Sequence, residues 1–397
     1  MATRRKVLLA ASMNGGAEAI IPLIEALKAK GLEVHVLSYK AATSTFKDRG
    51  VLFEEVQGKP SLECCRRKIA EFGPGCIVTG TQTQDAEQPL TFEQMLWQAG
   101  KEARVSTIAV MDTYDTYLAR FSDLNLAAKS PILSIRAKLS RMPHKIAIMD
   151  AYARQEMLGL GFPESVLAVT GNPHFEHTVR EAAKLAPDTR AHLLTKPVFK
   201  QFYGFGRTVV FMSDSIEGYY PNIGFTEKSM LQMFLAAAEG VARQACVQIN
   251  VIVRPHPVRD QNARDAFKEA SEKLRLLRVV LHNPTKTRES DPLNYYTMEA
   301  LLYSATAVVG TFNNPLVTAA LMGKPVIQFL PGITPGHEFQ VFLSEQDYAV
   351  RITKEEDLAK ALRSVLEGKT IQKPFEAAQD AIDRVVELVR RMMLAQH

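Results

Sequence analysis

The stretch over residues 305–331, ATAVVGTFNNPLVTAALMGKPVIQFLP, constrains this chain more than any other. A short apolar run over 307–309 stops at Gly310 and reads as a buried parallel strand. The polar turn Gly310-Thr311-Phe312-Asn313-Asn314 follows. Pro315 suits the first turn of a helix, where no N–H is needed. That helix should run over about 316–322 and stop at Gly323, with a second strand at 325–329. Strand, turn, helix and strand in so few residues form one βαβ unit. The helix start turns its N–H groups and the positive end of its dipole outward, which is a natural place for a phosphate. Gly310, Thr311, Asn313 and Asn314 are therefore candidate phosphate-binding residues.

The same alternation runs through the chain. The first half reads as strands at 6–11, 32–37, 52–56, 76–79, 106–111, 145–149 and 166–169, with helices at 17–30 and from Thr91 to about 99. Thr91-Phe92-Glu93-Gln94 is a capping-box pattern. The second half reads as strands at 208–212, 250–253, 278–281, 307–309, 325–329 and 348–352, with helices at 226–244, 294–304, 354–367 and 375–394. Strands spaced by helices predict an α/β chain of two Rossmann-like domains, each with a parallel sheet. The expected division is a first domain at 1–190, a linker at 191–206, a second domain at 207–373 and a terminal helix at 374–397. The linker rests on weak periodicity and on Pro197, Gly204 and Gly206. Asn14-Gly15-Gly16 reads as the first turn, but G-x-G-x-x-G is absent and no dinucleotide site is expected.

At 397 residues the chain has ample length for two cores. Its net charge of +5 suits an anionic ligand and is too small to argue for nucleic acid. The four cysteines, Cys64, Cys65, Cys76 and Cys246, form no Cys-x-x-Cys pair and no zinc spacing, and read as reduced cytoplasmic thiols. No metal and no cofactor is expected. The apolar run after Arg4-Arg5-Lys6 is too short for a signal peptide, and no segment approaches a transmembrane length. Residues 125–149 lack acids and alternate Lys129, Arg136, Lys138, Arg141 and Lys145 with apolar residues. Such a segment is either an ordinary helix with a solvated face or a peripheral contact with the anionic inner face of a membrane.

In α/β sheets ligands gather at the carboxyl ends of strands, and the chemically useful residues of this chain fall there. Arg254-Pro255-His256-Pro257 follows one strand; the arginine can hold a diphosphate, and the histidine can donate to a leaving group. Asp112 ends another strand and could serve as a general base, with Asp115 as competitor and Arg120 either pairing with Asp112 or holding an anion. Asp also favours turns for local reasons, so both remain open to a structural reading. Ser213-Asp214-Ser215 and Glu217-Gly218 after the strand at 208–212 read as a solvated loop, with Glu217 open to a role at a ligand.

Three segments, Gly323-Lys324-Pro325-Val326-Ile327 with the turn before it, Arg254-Pro255-His256-Pro257 and Thr170-Gly171-Asn172-Pro173, together resemble the B-fold glycosyltransferase superfamily. The branch is that of UDP-N-acetylglucosamine 2-epimerases, CDP-glycerol glycerophosphotransferases and capsule glycosyltransferases. The resemblance implies a nucleotide-sugar donor on the second domain, an acceptor on the first, and a terminal helix that crosses back to the first domain. It places His256 on the donor phosphate, Asp112 at the position of a catalytic acid, and Gly15 and Gly16 on the acceptor side, although the two glycines read equally as a plain turn. The families usually carry an acid where this chain has Thr318, on the donor ribose, and another where it has Thr81. Both departures weigh against epimerisation, which needs acid–base groups on both faces of the sugar. The expectation is a glycosyltransferase joining a sugar to a glycan or lipid-linked acceptor in surface-polysaccharide assembly. A 2-epimerase-like enzyme and a non-catalytic binding protein are the alternatives. Arg254, His256 and the turn at 311–314 are expected at adjacent strand ends of one sheet.

Overall fold

A computed structural model describes residues 5–83, 90–121, 141–185, 188–202, 204, 206–219, 222–256, 261–271, 274–282, 296–333, 342–369 and 372–395. The chain divides into two compact units, Met1–His177 with Ala377–His397, and Thr178–Glu376.

The first unit holds β1 (Lys6–Ala11), β2 (Glu33–Ser38), β3 (Glu54–Glu55), β4 (Cys76–Thr79), β5 (Ser106–Val110), β6 (Lys145–Ile148) and β7 (Leu167–Val169). They pair in parallel in the order β3-β2-β1-β4-β5-β6-β7. The order reverses between β1 and β4, and the strand ends there open a crevice. Both faces of the sheet are covered, which is why β1 and β4 are apolar over most of their length and β5 buries even Ser106 and Thr107. One face packs Val7, Leu9 and Val78 against Ile20, Leu23 and Leu27 of the helix Asn14–Ala29. The other packs Leu8, Ala10 and Ile77 against Leu96 and Ala99 of the helix Phe92–Glu102. The capping box forms as read, with Thr91 Oγ1 accepting from Gln94 N at 3.1 Å.

The C-terminal helix Ala381–Leu394 joins this unit, as the crossing-back expectation required. Ile382, Val385, Val386, Val389 and Met393 enter the same core as Ile20 and Val78. Its first turn is anchored by the buried Glu176, whose Oε2 accepts from Ile382 N at 2.7 Å. A carboxylate at that position also meets the positive end of the helix dipole.

The second unit holds β8 (Thr208–Met212), β9 (Ile249–Arg254), β10 (Leu277–Leu281), β11 (Ala307–Gly310), β12 (Val326–Phe329) and β13 (Val350–Ile352). Their parallel order is β10-β9-β8-β11-β12-β13, with the reversal between β8 and β11. Phe211, Val251, Val309 and Ile327 form its core with Leu231, Phe234 and Leu235 of the helix Glu227–Ala245.

Three readings need correction. Gly15 and Gly16 lie inside the first turn of a helix and not in a turn before it. The reason is space: a Cβ on Gly80 would stand 2.4 Å from Gly16 Cα, so the strand end and helix start meet backbone to backbone. The segment at 191–206 is not a bare linker. It carries most of the helix Thr189–Leu194 and the 3-10 turn Pro197–Phe199, both too short to show periodicity. It also belongs to the second unit, where Arg190 lies over the Tyr303 ring at 5.8 Å. Finally, β9 and β11 are not neighbours, because β8 runs between them.

Candidate functional site

Each unit carries a polar cluster at its sheet reversal. In the first, the chain leaves β1 at Ser12, leaves β4 at Gly80-Thr81-Gln82 and leaves β5 at Met111-Asp112. Asp112 is only 8% exposed. Its Oδ1 accepts from Thr81 Oγ1 at 2.9 Å and from Arg120 Nη1 at 3.0 Å, and Arg120 Nη1 also donates to Thr81 Oγ1 at 2.8 Å. Arg120 is thus the partner of Asp112, an alternative the sequence left open. Among the described residues the hydrogen bonds of Asp112 fall on Oδ1. Arg120 is held by Gln94 of the capping box, whose Nε2 donates to the Arg120 carbonyl at 3.0 Å. Asp115 is spent locally, accepting from Thr113 Oγ1 at 2.9 Å and Thr116 Oγ1 at 3.1 Å. The buried rings of Tyr114, Tyr117 and Phe121 pack in the unit, Phe121 stacking on Trp97 with centroids 5.5 Å apart.

Beside this triangle lies a carboxyl the capping pattern concealed. Glu93, with no exposed surface, accepts at Oε1 from Ser12 N at 2.9 Å and Ser12 Oγ at 2.6 Å. Burial raises its pKa, against the hydrogen bonds from Ser12. Ser12 Oγ also contacts Gln82 Oε1.

In the second unit, Met212, Arg254 and Gly310 stand level on three strands, with Arg254 and Gly310 each paired to Met212. A Cβ on Gly310 would lie 2.9 Å from the Met212 carbonyl, so the turn can leave the sheet this closely only from glycine. Arg254 and the turn at 311–314 flank the loop after β8 at two strand spacings, roughly 10 Å. That loop fills the gap. Asp214 is no solvated loop residue: its Oδ2 accepts from Thr311 Oγ1, from Asn313 Nδ2 at 3.1 Å and, at the limit of 3.5 Å, from Phe312 N. The turn is also braced from β12. Gln328 Nε2 donates to the Thr311 carbonyl at 2.9 Å, and Gln328 Oε1 accepts from Ser344 N at 2.9 Å. Asn313 is the N-cap of the helix Asn314–Leu321 but makes no side-chain cap bond. Thr318 is buried on that helix. Lys324 secures the unit beneath, its ammonium donating to the carbonyls of Tyr303 at 2.6 Å and Ala305 at 3.2 Å. Burial draws its pKa down to about 8.

Among the described residues Arg254 donates no hydrogen bond from its buried Nε, and burial pulls its pKa down to about 10, against the nearby Tyr296 and Glu299. His282, next after β10, is driven to about 3, first by burial and then by Arg254 and Arg264. Its ring stacks obliquely on Tyr296 with centroids 4.8 Å apart. Neither His282 nor Tyr296 was singled out in the sequence, where no motif marks them. His256 lies two residues beyond β9, partly buried, and Pro257 lies outside the described residues. The basic segment, read as an ordinary helix or a membrane contact, lies outside them as far as residue 140; beyond it Arg141 precedes β6 and Lys145 begins it. Among the described residues no group of three His, Cys, Asp or Glu could hold a metal, and no helix is long and apolar enough to cross a membrane.

No protein-family profile and no curated protein matches the chain. Solved structures do. The UDP-GlcNAc 2-epimerase from Neisseria meningitidis bound to UDP-GlcNAc superposes with a TM-score of 0.66 at 12% identity, over 97% of this chain and 100% of the other. The UDP-GlcNAc 2-epimerase of Methanocaldococcus jannaschii gives 0.65 at 13%, over 97% and 99%. HepE of Anabaena in complex with UDP gives 0.55 at 12%, over 98% and 97%. At such identities the likeness speaks to architecture along essentially the whole chain. Two parallel sheets of seven and six strands, each reversing at its centre, and a last helix returned to the first unit give this chain the glycosyltransferase B fold shared by those enzymes.

Proposed function

We propose that the chain is a glycosyltransferase that moves a sugar from a nucleotide-activated donor to an acceptor. One observation carries the reading: Arg254, His256 and the turn at 311–314 lie at strand ends around the reversal of the second sheet, where a B-fold protein offers a diphosphate cationic and N–H donors. In this reading Arg254 supplies fixed charge, and His256 donates a hydrogen bond or proton as the nucleotide leaves. Asp112 is the acceptor base. Arg120 and Thr81 hold its Oδ1, which fixes the carboxylate and leaves Oδ2 to take the hydroxyl proton. The neighbours bound to UDP or UDP-GlcNAc favour a uridine diphosphate sugar as donor. The helix dipole and side-chain cations would serve the leaving group without a metal.

Epimerisation is the second reading, favoured by the epimerases among the neighbours. Against it stands Thr81, a hydroxyl at the position where those families are expected to carry an acid. Thermal-shift screening with UDP, CDP, CMP and GDP tests nucleotide binding, because a ligand of the native state raises its melting temperature. Incubation with UDP-N-acetylglucosamine then separates the two readings: a manno epimer means epimerase, and UDP released only when acceptor is present means transferase. Loss of a leaving-group donor costs roughly 3 kcal/mol, about a hundredfold in rate. His256→Ala with full turnover would eliminate the assigned role.

A further inference from the structure

The loop after β8 changes what the second-unit turn can accept. A phosphate at this turn would call on the Thr311 hydroxyl, the Asn313 amide and the main-chain N–H groups at the helix start. The three that the structure shows engaged are already turned on one oxygen of Asp214: Thr311 Oγ1, Asn313 Nδ2 at 3.1 Å and Phe312 N at 3.5 Å. The chain brings its own anion to the place. The position is not accidental, because β8 separates Arg254 on β9 from the turn on β11, and the residue two beyond β8 falls between them.

The arrangement is also incomplete. Among the described residues Ser215 Oγ, on a residue 2% exposed, and Asn313 Oδ1 are both buried without a hydrogen-bond partner. Buried polar atoms left unpaired are unfavourable, so a polar group that reaches them is bound more tightly than the same group in water would suggest. Asn313 itself makes the Asp214 contact and Ser215 is the chain neighbour of Asp214, so a ligand with N–H or O–H groups, such as a nucleoside, can pair with atoms the resting arrangement leaves open.

We propose that Asp214 is a specificity-determining residue of the donor site, a resident carboxylate that a ligand must displace from Thr311 and Asn313. This rests on the nucleotide-sugar reading given above. A single inorganic phosphate brings no contact beyond those Asp214 already makes, and cannot displace it. A nucleoside diphosphate has a second phosphate for Arg254 and a nucleoside for further contacts, and can. The carboxylate thus makes the site blind to free phosphate and reserves it for the diphosphate of a nucleotide-sugar.

The test is calorimetric titration of the full chain and of Asp214→Asn and Asp214→Ala with inorganic phosphate, pyrophosphate and UDP. Asparagine keeps the shape and one acceptor oxygen but removes the charge. The expected result is wild-type binding of UDP with no measurable binding of phosphate. Both variants should gain at least tenfold in affinity for phosphate and pyrophosphate. A residue that merely shaped the turn would lose affinity on substitution, so the direction of change decides. If wild type binds UDP and the folded variants bind phosphate and pyrophosphate no better than it does, the gate is wrong and the donor site stands. If wild type and both variants bind neither UDP nor pyrophosphate, the gate and the nucleotide-sugar reading fall together.

Discussion

Replacing Glu93 by glutamine should make the protein more stable at neutral pH. Glu93 is fully buried, and burial raises its pKa above the ordinary 4.5. Between 4.5 and the raised value the native state holds a proton that the unfolded chain has lost. Stability must therefore fall as pH rises through that window, by about 1.4 kcal/mol per unit. Glutamine keeps an oxygen for the Ser12 amide at 2.9 Å and the Ser12 hydroxyl at 2.6 Å, yet cannot ionise. The assay is urea unfolding at pH 5, 6, 7 and 8. The single tryptophan, Trp97, sits on the same helix, with its Nε1 donating to Thr79 Oγ1 at 2.8 Å, and reports the first unit directly. Wild type should lose stability as pH rises above the ordinary glutamate range, a loss that Glu93→Gln should not show. Parallel pH profiles, or a variant less stable than wild type at pH 7, would show that Glu93 is ionised in the fold and that Ser12 offsets its burial.

Gly80→Ala should destabilise the first unit by about 1–3 kcal/mol, because its Cβ would stand 2.4 Å from Gly16 Cα and neither backbone is free to retreat; Trp97 fluorescence melts measure this. Glu176→Ala removes the acceptor 2.7 Å from Ile382 N and should cost roughly 1–3 kcal/mol, with earlier proteolysis near residue 377 as a second readout. His282, held near 3 when folded and near 6.5 when unfolded, takes up a proton only on unfolding, so stability should decline as pH falls from 6.5 toward 3. His282→Gln should flatten that acid limb in circular-dichroism melts; an unchanged limb would mean the ring is protonated where it lies.

The strands of both sheets were legible because parallel strands buried on two faces read as apolar runs, and most predicted strands overlap the observed ones over most of their length. The helices Leu62–Phe72, Pro173–Ala183 and Gln261–Ser271 were passed over although each is amphipathic, the first with Leu62, Cys65, Ile69 and Phe72 at helical spacing; Ala151–Gly159 was passed over because it carries no clear apolar stripe. Asp112 was legible as a strand-end acid, and its arginine was within view eight residues on. Strand order was not legible. Placing β9 beside β11 was natural when only the linear sequence was considered, and only the pairing through β8 reveals why Asp214 reaches Thr311. Glu93 hid inside a capping motif, since a helix-start acid usually answers to the dipole alone and this one answers also to Ser12 across 81 positions of sequence.

The return of the last helix has a consequence for synthesis. Residues 178–376 form one unbroken unit, whereas the unit that begins the chain is closed only by residues 377–397. On the ribosome the first sheet must wait, with the face that receives Val385, Val386 and Val389 uncovered, while the entire second unit emerges and can mature ahead of it. Completion therefore runs opposite to translation. A nascent chain stalled anywhere before residue 381 presents an apolar surface to chaperones, and a message cut short by a single late stop codon yields a protein whose defect lies in the half made first.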